Sequence, residues 1–425
     1  MSPGELRERV GELRRSPRWR LIVANGLLSA SGLVTGPLIA RSLGPSGRGV
    51  LAYLVSATFL FGILATLGFE DAATLAVAER KVSRRQLLRR SLLFATPASA
   101  VFAAGVVAFA PEELDARPWV IGGLLFAAIL LGALSHIVEG AVTGTRRLDP
   151  IVIRRTATAG FRIVAIVALF LIGRLAIVPA FAVQAVVVSS GVLLVWSLRS
   201  LGPGSADGAR DLGRLATRIL PTRVGSLALL RVDQLLLPQL ASVSQLGYYA
   251  VAATVAELPQ FLSGATRQHL LSQLTGDAVA DPPGPVALVR QHLGPSVVLC
   301  GVLLVSCPFA IPFAFGESFR PAVPAAMVLC LAQVFLVATN AFDAVLVAAH
   351  KVGLSARIQW AGLIVNLVAV VVLGRTGAVG AATAALLGYG VATAAGAMYV
   401  AHLRSSRAEQ TASPPPDPDG DGPPA

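Results

Sequence analysis

The sequence predicts an all-α polytopic membrane protein of about twelve transmembrane helices, arranged as two six-helix lobes related by a pseudo-two-fold axis along the membrane normal. Three observations carry this reading. The 425 residues are 55% hydrophobic and only 14% charged, with a mean hydropathy of +0.71, far less charge than a soluble domain of this length carries. The apolar residues form continuous blocks of about 20, enough to cross a hydrocarbon core about 30 Å thick, whereas a β-barrel would show short alternating segments. The third observation is that the two halves of the chain resemble each other.

The blocks place spans at 21–40, 50–69, 91–110, 119–142, 156–173, 176–196, 224–241, 247–270, 293–315, 321–347, 358–374 and 377–402. Charge supports the count. With the N-terminus in the cytoplasm, 27 of the 35 Lys and Arg residues fall in inner segments. Six fall in outer ones (Arg41, Arg48, Arg117, Arg174, Arg320 and Arg375), and Arg162 and Arg231 remain within spans. This is the positive-inside distribution, with both termini cytoplasmic. The net charge of +12 is spread through these loops, so it does not form a nucleic-acid patch.

Five segments follow: an amphipathic N-terminus (1–20), a first lobe (21–200), a basic inter-lobe linker (201–223), a second lobe (224–403) and a Pro- and Asp-rich tail (404–425) expected to be disordered. The outer loops are too short to hold a catalytic domain.

The internal similarity has an offset of about 200. "ARSLGPSGRGVLAYLVS" (40–56) parallels "PQLASVSQLGYYAVAAT" (238–254), and "RTATAGFRIVAIVALFLIGR" (155–174) parallels "RIQWAGLIVNLVAVVVLGR" (357–375). Six spans per half make the repeats parallel, and transporters built this way bind substrate near mid-membrane between their halves.

Several chemistries are excluded. The two lysines, Lys81 and Lys351, follow Arg and His, so no Walker A loop exists. No histidine is followed by Glu, which removes a His-Glu-x-x-His zinc site, and no Gly-x-Ser-x-Gly elbow occurs. Cys300, Cys307 and Cys330 all lie in apolar blocks and read as buried small hydrophobes. Neither an enzyme, nor a metal site, nor a cofactor is expected.

The candidate site residues are charges inside spans, which cost at least about 2.5–3.5 kcal/mol each and so face a bundle interior or a wet cavity. Arg231 and Asp233 in span 7 and Glu257 in span 8 all fall near the midplane. Arg231 and Asp233 are two residues apart and point to different sides, which leaves Glu257 to pair with one of them. Arg231 suits capture of an anionic head group, a structural ion pair or a gating pair; the carboxylates also suit ion or proton coupling. Arg162 in span 5 lies within snorkelling reach of the interface. Gly32-x3-Gly36 and Gly140-x3-Gly144 allow close helix packing.

Taken together, "LIARSLGPSGRGVLAYLVSATFLFGILATLGFEDA" (38–72), "RVDQLLLPQLASVSQLGYYAVAATVAELPQFL" (231–262), "FGESFRPAVPAAMVLCLAQVF" (315–335) and "GLIVNLVAVVVLGRTGAVGAATAALLGYGVATA" (362–394) resemble bacterial polysaccharide flippases. These belong to the multidrug/oligosaccharidyl-lipid/polysaccharide exporter superfamily. The resemblance implies two lobes around a central, often cationic cavity. It also implies alternating access that carries a polyprenyl-pyrophosphate-linked oligosaccharide outward across the plasma membrane, beside glycosyltransferases or a polymerase. Arg231 and Asp233 match the family's Arg-x-Asp-Gln pattern in the seventh span. A drug/cation antiporter of the same superfamily, or a non-transporting scaffold for glycosyltransferases, is the alternative.

Overall fold

The first apolar block and the second fold as one long helix broken at a single residue. The computed structural model describes residues 17–110, 118–145, 147–202, 204–260, 293–348 and 351–412. In it α1 (Pro17–Leu64) changes direction at Gly44, where φ is 66° and ψ −178°. Glycine adopts this left-handed backbone without a Cβ penalty, and Pro45 then sits at the first helical position, where its missing N–H costs nothing. The second arm therefore starts at Pro45, about one turn earlier than the apolar pattern suggested.

A short helix not anticipated from the sequence follows, α2 (Phe69–Ala78), and then α3 (Arg84–Ala108), α4 (Pro118–Gly144), α5 (Asp149–Leu171) and α6 (Ile177–Ser189), which tightens into a 3₁₀ segment over Ser190–Ser200. The second half contributes α7 (Ala206–Leu240), α8 (Val243–Ala256), α9 (Gly294–Phe315), α10 (Ala322–Ala348), α11 (Val352–Leu373) and α12 (Ala378–Ala412). Among the described residues, eight helices qualify as membrane spans by length and apolarity alone, the first of them covering both arms of α1. α5 and α7 carry charges and α8 covers the first part of the expected span 247–270, whose residues 261–270 lie outside the described residues; these three with the split first helix correspond to the remaining expected spans. Among the described residues there is no strand.

Small residues set the spacing of the first lobe. A Cβ on Gly140 would fall 2.3 Å from the Glu70 carbonyl oxygen, and one on Gly144 2.3 Å from that of Thr74. The expected close-packing pair thus seats α2 directly on α4, where Thr74 Oγ1 donates to the Gly140 carbonyl at 2.9 Å. α3 begins with a capping box: Ser83 Oγ accepts from Gln86 N–H and the Gln86 side chain accepts from Ser83 N–H.

Helices extend into two of the segments between and after the lobes. The 201–223 linker is helical from Ala206 and continuous with span 7. Its apolar residues Leu212 and Ala216 pack with Phe69, Ala72 and Ala76 of the first lobe, whereas Leu229 and Leu237, further along, join the large central core. α12 likewise runs to Ala412, past the boundary at 403, because "LRSSRAEQTA" contains no Gly or Pro to stop it. Residues 1–16 and 413–425, the bulk of the proposed amphipathic N-terminus and tail, lie outside the described residues. The three cysteines are free and buried. Apolar side chains such as Val305, Phe309 and Phe313 stay exposed on α9, as a lipid-facing helix requires.

Candidate functional site

A cavity of about 290 Å³ opens between the lobes. Both arms of α1, together with α5, α7 and α8, line it. Its charged residues are Arg48, Arg162, Arg231 and Glu257. Three guanidinium groups therefore face one carboxylate.

Arg231 and Glu257 form a two-point ion pair, with Nη1 to Oε1 at 3.0 Å and Nη2 to Oε2 at 3.2 Å. The guanidinium also sits 5.5 Å from the centre of the Phe59 ring in the other lobe. Both members of the ion pair belong to the second lobe, so it joins span 7 to span 8 and does not bridge the lobes. Asp233 points away, as the two-residue spacing requires. It is buried, accepting from the Tyr249 hydroxyl and from Gln234 N–H. It does not line the cavity.

The other two arginines meet neutral partners. Arg48 Nη2 donates across the lobes to Thr254 Oγ1 at 3.4 Å, and its buried Nε has no partner among the described residues. In the amide orientation that satisfies both groups, Gln184 accepts from Arg162 Nη2 at 2.9 Å and Nε at 3.2 Å. The Arg162 guanidinium lies against Gly32, where a Cβ would come within 3.3 Å of Nη1. Arg162 thus turns into the cavity and does not snorkel to the interface: Gly32 leaves room for the guanidinium and Gln184 satisfies it. A second inter-lobe bond joins Ser56 to Gln234 in the cavity wall.

The internal repeat reappears in this lining. At an offset of 198 residues, Leu33 pairs with Arg231, Ala52 with Ala250, Val55 with Ala253, Ser56 with Thr254 and Phe59 with Glu257, and all ten lie in the wall. One lobe places an ion pair where the other places Leu33 and Phe59.

The structure brings three of the four predicted residues to one cavity and leaves Asp233 beside it. It adds Arg48, which the sequence reading assigned to an outer loop. The signal was present in Gly44-Pro45, a helix-start pair that puts Arg48 inside the next helix.

The sequence family described as Polysaccharide biosynthesis protein matches residues 20–266, which includes all four charged lining residues. The chain belongs to this family. No curated protein matches it. Among solved structures, one of the lipid II flippase MurJ in an inward closed conformation aligns over 89% of this chain and 87% of its own, at 14% identity and a TM-score of 0.71. An inward-facing multidrug resistance MATE transporter of the MOP superfamily covers 91% and 96%, at 12% identity and a TM-score of 0.62. A MOP superfamily transporter from Pyrococcus furiosus, whose binding pocket is described as reversed in polarity, covers 93% and 98%, at 12% identity and a TM-score of 0.58. At such identities the likeness shows the fold. The chain is a multi-pass membrane protein with the two-lobed helical fold of these structures.

Proposed function

We propose that the protein flips a polyprenyl-pyrophosphate-linked oligosaccharide from the cytoplasmic to the outer leaflet of the bacterial plasma membrane, by alternating access of its two lobes and without enzymatic chemistry. The observation that carries this reading is the charge of the inter-lobe cavity: Arg48 and Arg162 have no carboxylate partner there among the described residues, and Arg231 shares one. A guanidinium presents a planar fork of donors to phosphate oxygens, and Arg48 Nε is a buried donor awaiting an acceptor. A cavity with a surplus of two positive charges repels a cationic drug. The concentration of basic residues in alternate loops supports cytoplasmic termini, and with them access to glycosyltransferases as partners on that side.

The test is flipping of a labelled polyprenyl-pyrophosphate oligosaccharide in proteoliposomes, comparing the parent with Arg48→Ala and Arg231→Ala. The reading expects flux in the parent and its loss in both variants when they are folded. No flux in the parent overturns it, and efflux of a cationic dye by the same vesicles would move the protein to the antiporter class.

A further inference from the structure

At the end of the molecule away from the basic loops, the lobes meet through contacts that obey the internal two-fold. The second arm of α1 starts at Pro45 after Gly44, and α8 starts at Val243 after Ser242. One turn further on stand Gly49 and Gly247, again 198 residues apart. A Cβ on Gly49 would fall 1.9 Å from the Val243 carbonyl oxygen, and a Cβ on Gly247 would fall 1.9 Å from the Pro45 carbonyl oxygen. Each arm thus presses the carbonyl of its first turn onto the glycine of the other, the reciprocal pattern of a two-fold interface. The obstructing atoms are backbone, so no rotamer change relieves them. Any side chain holds the arms more than an ångström further apart, since real Cβ atoms keep at least 3.0 Å.

A second reciprocal pair flanks the first. Arg41 Nη2 donates to the Phe313 carbonyl, and Gln239 Nε2 donates to the Phe109 carbonyl at 2.7 Å. Arg41 and Gln239 carry the same 198-residue offset, while Phe109 and Phe313 end the third span of their respective halves. The first span of each lobe therefore holds the third span of the other, beyond the cavity.

We infer that Gly49 and Gly247 determine closure of an outer seal, with Arg41 and Gln239 as its polar latches, and that this seal parts when the cavity opens outward. The inference rests on the alternating-access reading above. It assigns the closed state to backbone contact: ångström-scale separation of two helix starts is enough to break all four contacts together. A Cβ at either glycine penalises only the sealed state and shifts the population toward the outward-open one.

The experiment places a cysteine at Ser29, which lines the cavity, in the full chain with Cys300, Cys307 and Cys330 replaced by alanine. Labelling by a membrane-impermeant maleimide is followed from the side opposite the basic loops. The parent should label slowly. Gly49→Ala and Gly247→Ala should each raise the rate by about tenfold or more, while Gly301→Ala, where nothing lies within 4 Å of the added Cβ, should stay at the parent rate. Parent-rate labelling in a monodisperse Gly247→Ala protein overturns the inference, as does an equal rise in Gly301→Ala. If neither glycine variant folds, the Arg41→Ala/Gln239→Ala double variant must show the rise, and its absence is equally fatal. Because the readout needs no substrate, a raised rate in a protein that flips no lipid-linked sugar supports the seal and sinks the flippase reading alone.

Discussion

Removing Glu257 tests whether the cavity's ion pair has the energy its geometry implies. Both oxygens of Glu257 accept from Arg231, at 3.0 and 3.2 Å, and the two side chains are 27% and 21% exposed. A hydrogen bond to a charged group contributes about 1.5–3 kcal/mol net. With two such bonds partly screened by a wet cavity, the pair's coupling comes to about 2–3 kcal/mol. Glu257→Ala also leaves Arg231 as an uncompensated partly buried charge, so the single substitution should cost at least that much. For a lobe of about 180 residues, 2–3 kcal/mol corresponds to a fall of about 4–12 °C in Tm. The assay is a double-mutant cycle on Arg231→Ala, Glu257→Ala and the pair, read by thermal unfolding in lipid nanodiscs. The double variant should lose markedly less than the sum of the singles. Strict additivity would show that the two side chains do not interact, and the two-point geometry would then have no energetic content.

Other outcomes follow from the same contacts. Arg48→Ala should reduce flux about tenfold or more while leaving Tm near the parent, since among the described residues Arg48 makes one long bond of 3.4 Å and its charge is available to substrate; proteoliposome flux and Tm on the same preparation check both halves. Gly140→Ala should destabilise the first lobe by about 1–3 kcal/mol, because its Cβ would meet the Glu70 carbonyl at 2.3 Å, whereas Gly105→Ala, facing open space, should be neutral or slightly stabilising by the same Tm readout. Ser83→Ala should cost about 1 kcal/mol through loss of the α3 cap, and Ser83→Thr should recover most of it.

Much of the fold was legible in the sequence because the bilayer imposes long apolar blocks and basic loops on one side. The Arg231–Glu257 pair was legible for a similar reason: two unlike charges at similar depth on consecutive spans have few other ways to be satisfied. Arg48 was not, since apolarity marks where the greasy part of a span starts, while Gly44 and Pro45 mark where the helix starts. The direction in which Arg162 turns was not legible, because it depends on Gly32 and Gln184, which are remote in sequence. α2 is short and continues a span's composition, so periodicity alone did not separate it.

The inter-lobe helix has a mechanical consequence. α7 contributes Leu212 and Ala216 to the core of one lobe and Leu229 and Leu237 to the central core, with Pro221 between them. The Pro221 ring removes the N–H that would otherwise bond to the turn before it, and the Pro221 carbonyl is held from the side by Trp360 Nε1 at 3.1 Å. The two lobes are therefore the ends of one lever with its weak rung at the fulcrum, and not two bodies on a slack tether. Cutting the chain in the loop before Ala206 would leave one half without part of its own core, so the shortest pair of self-sufficient fragments does not coincide with the two sequence repeats.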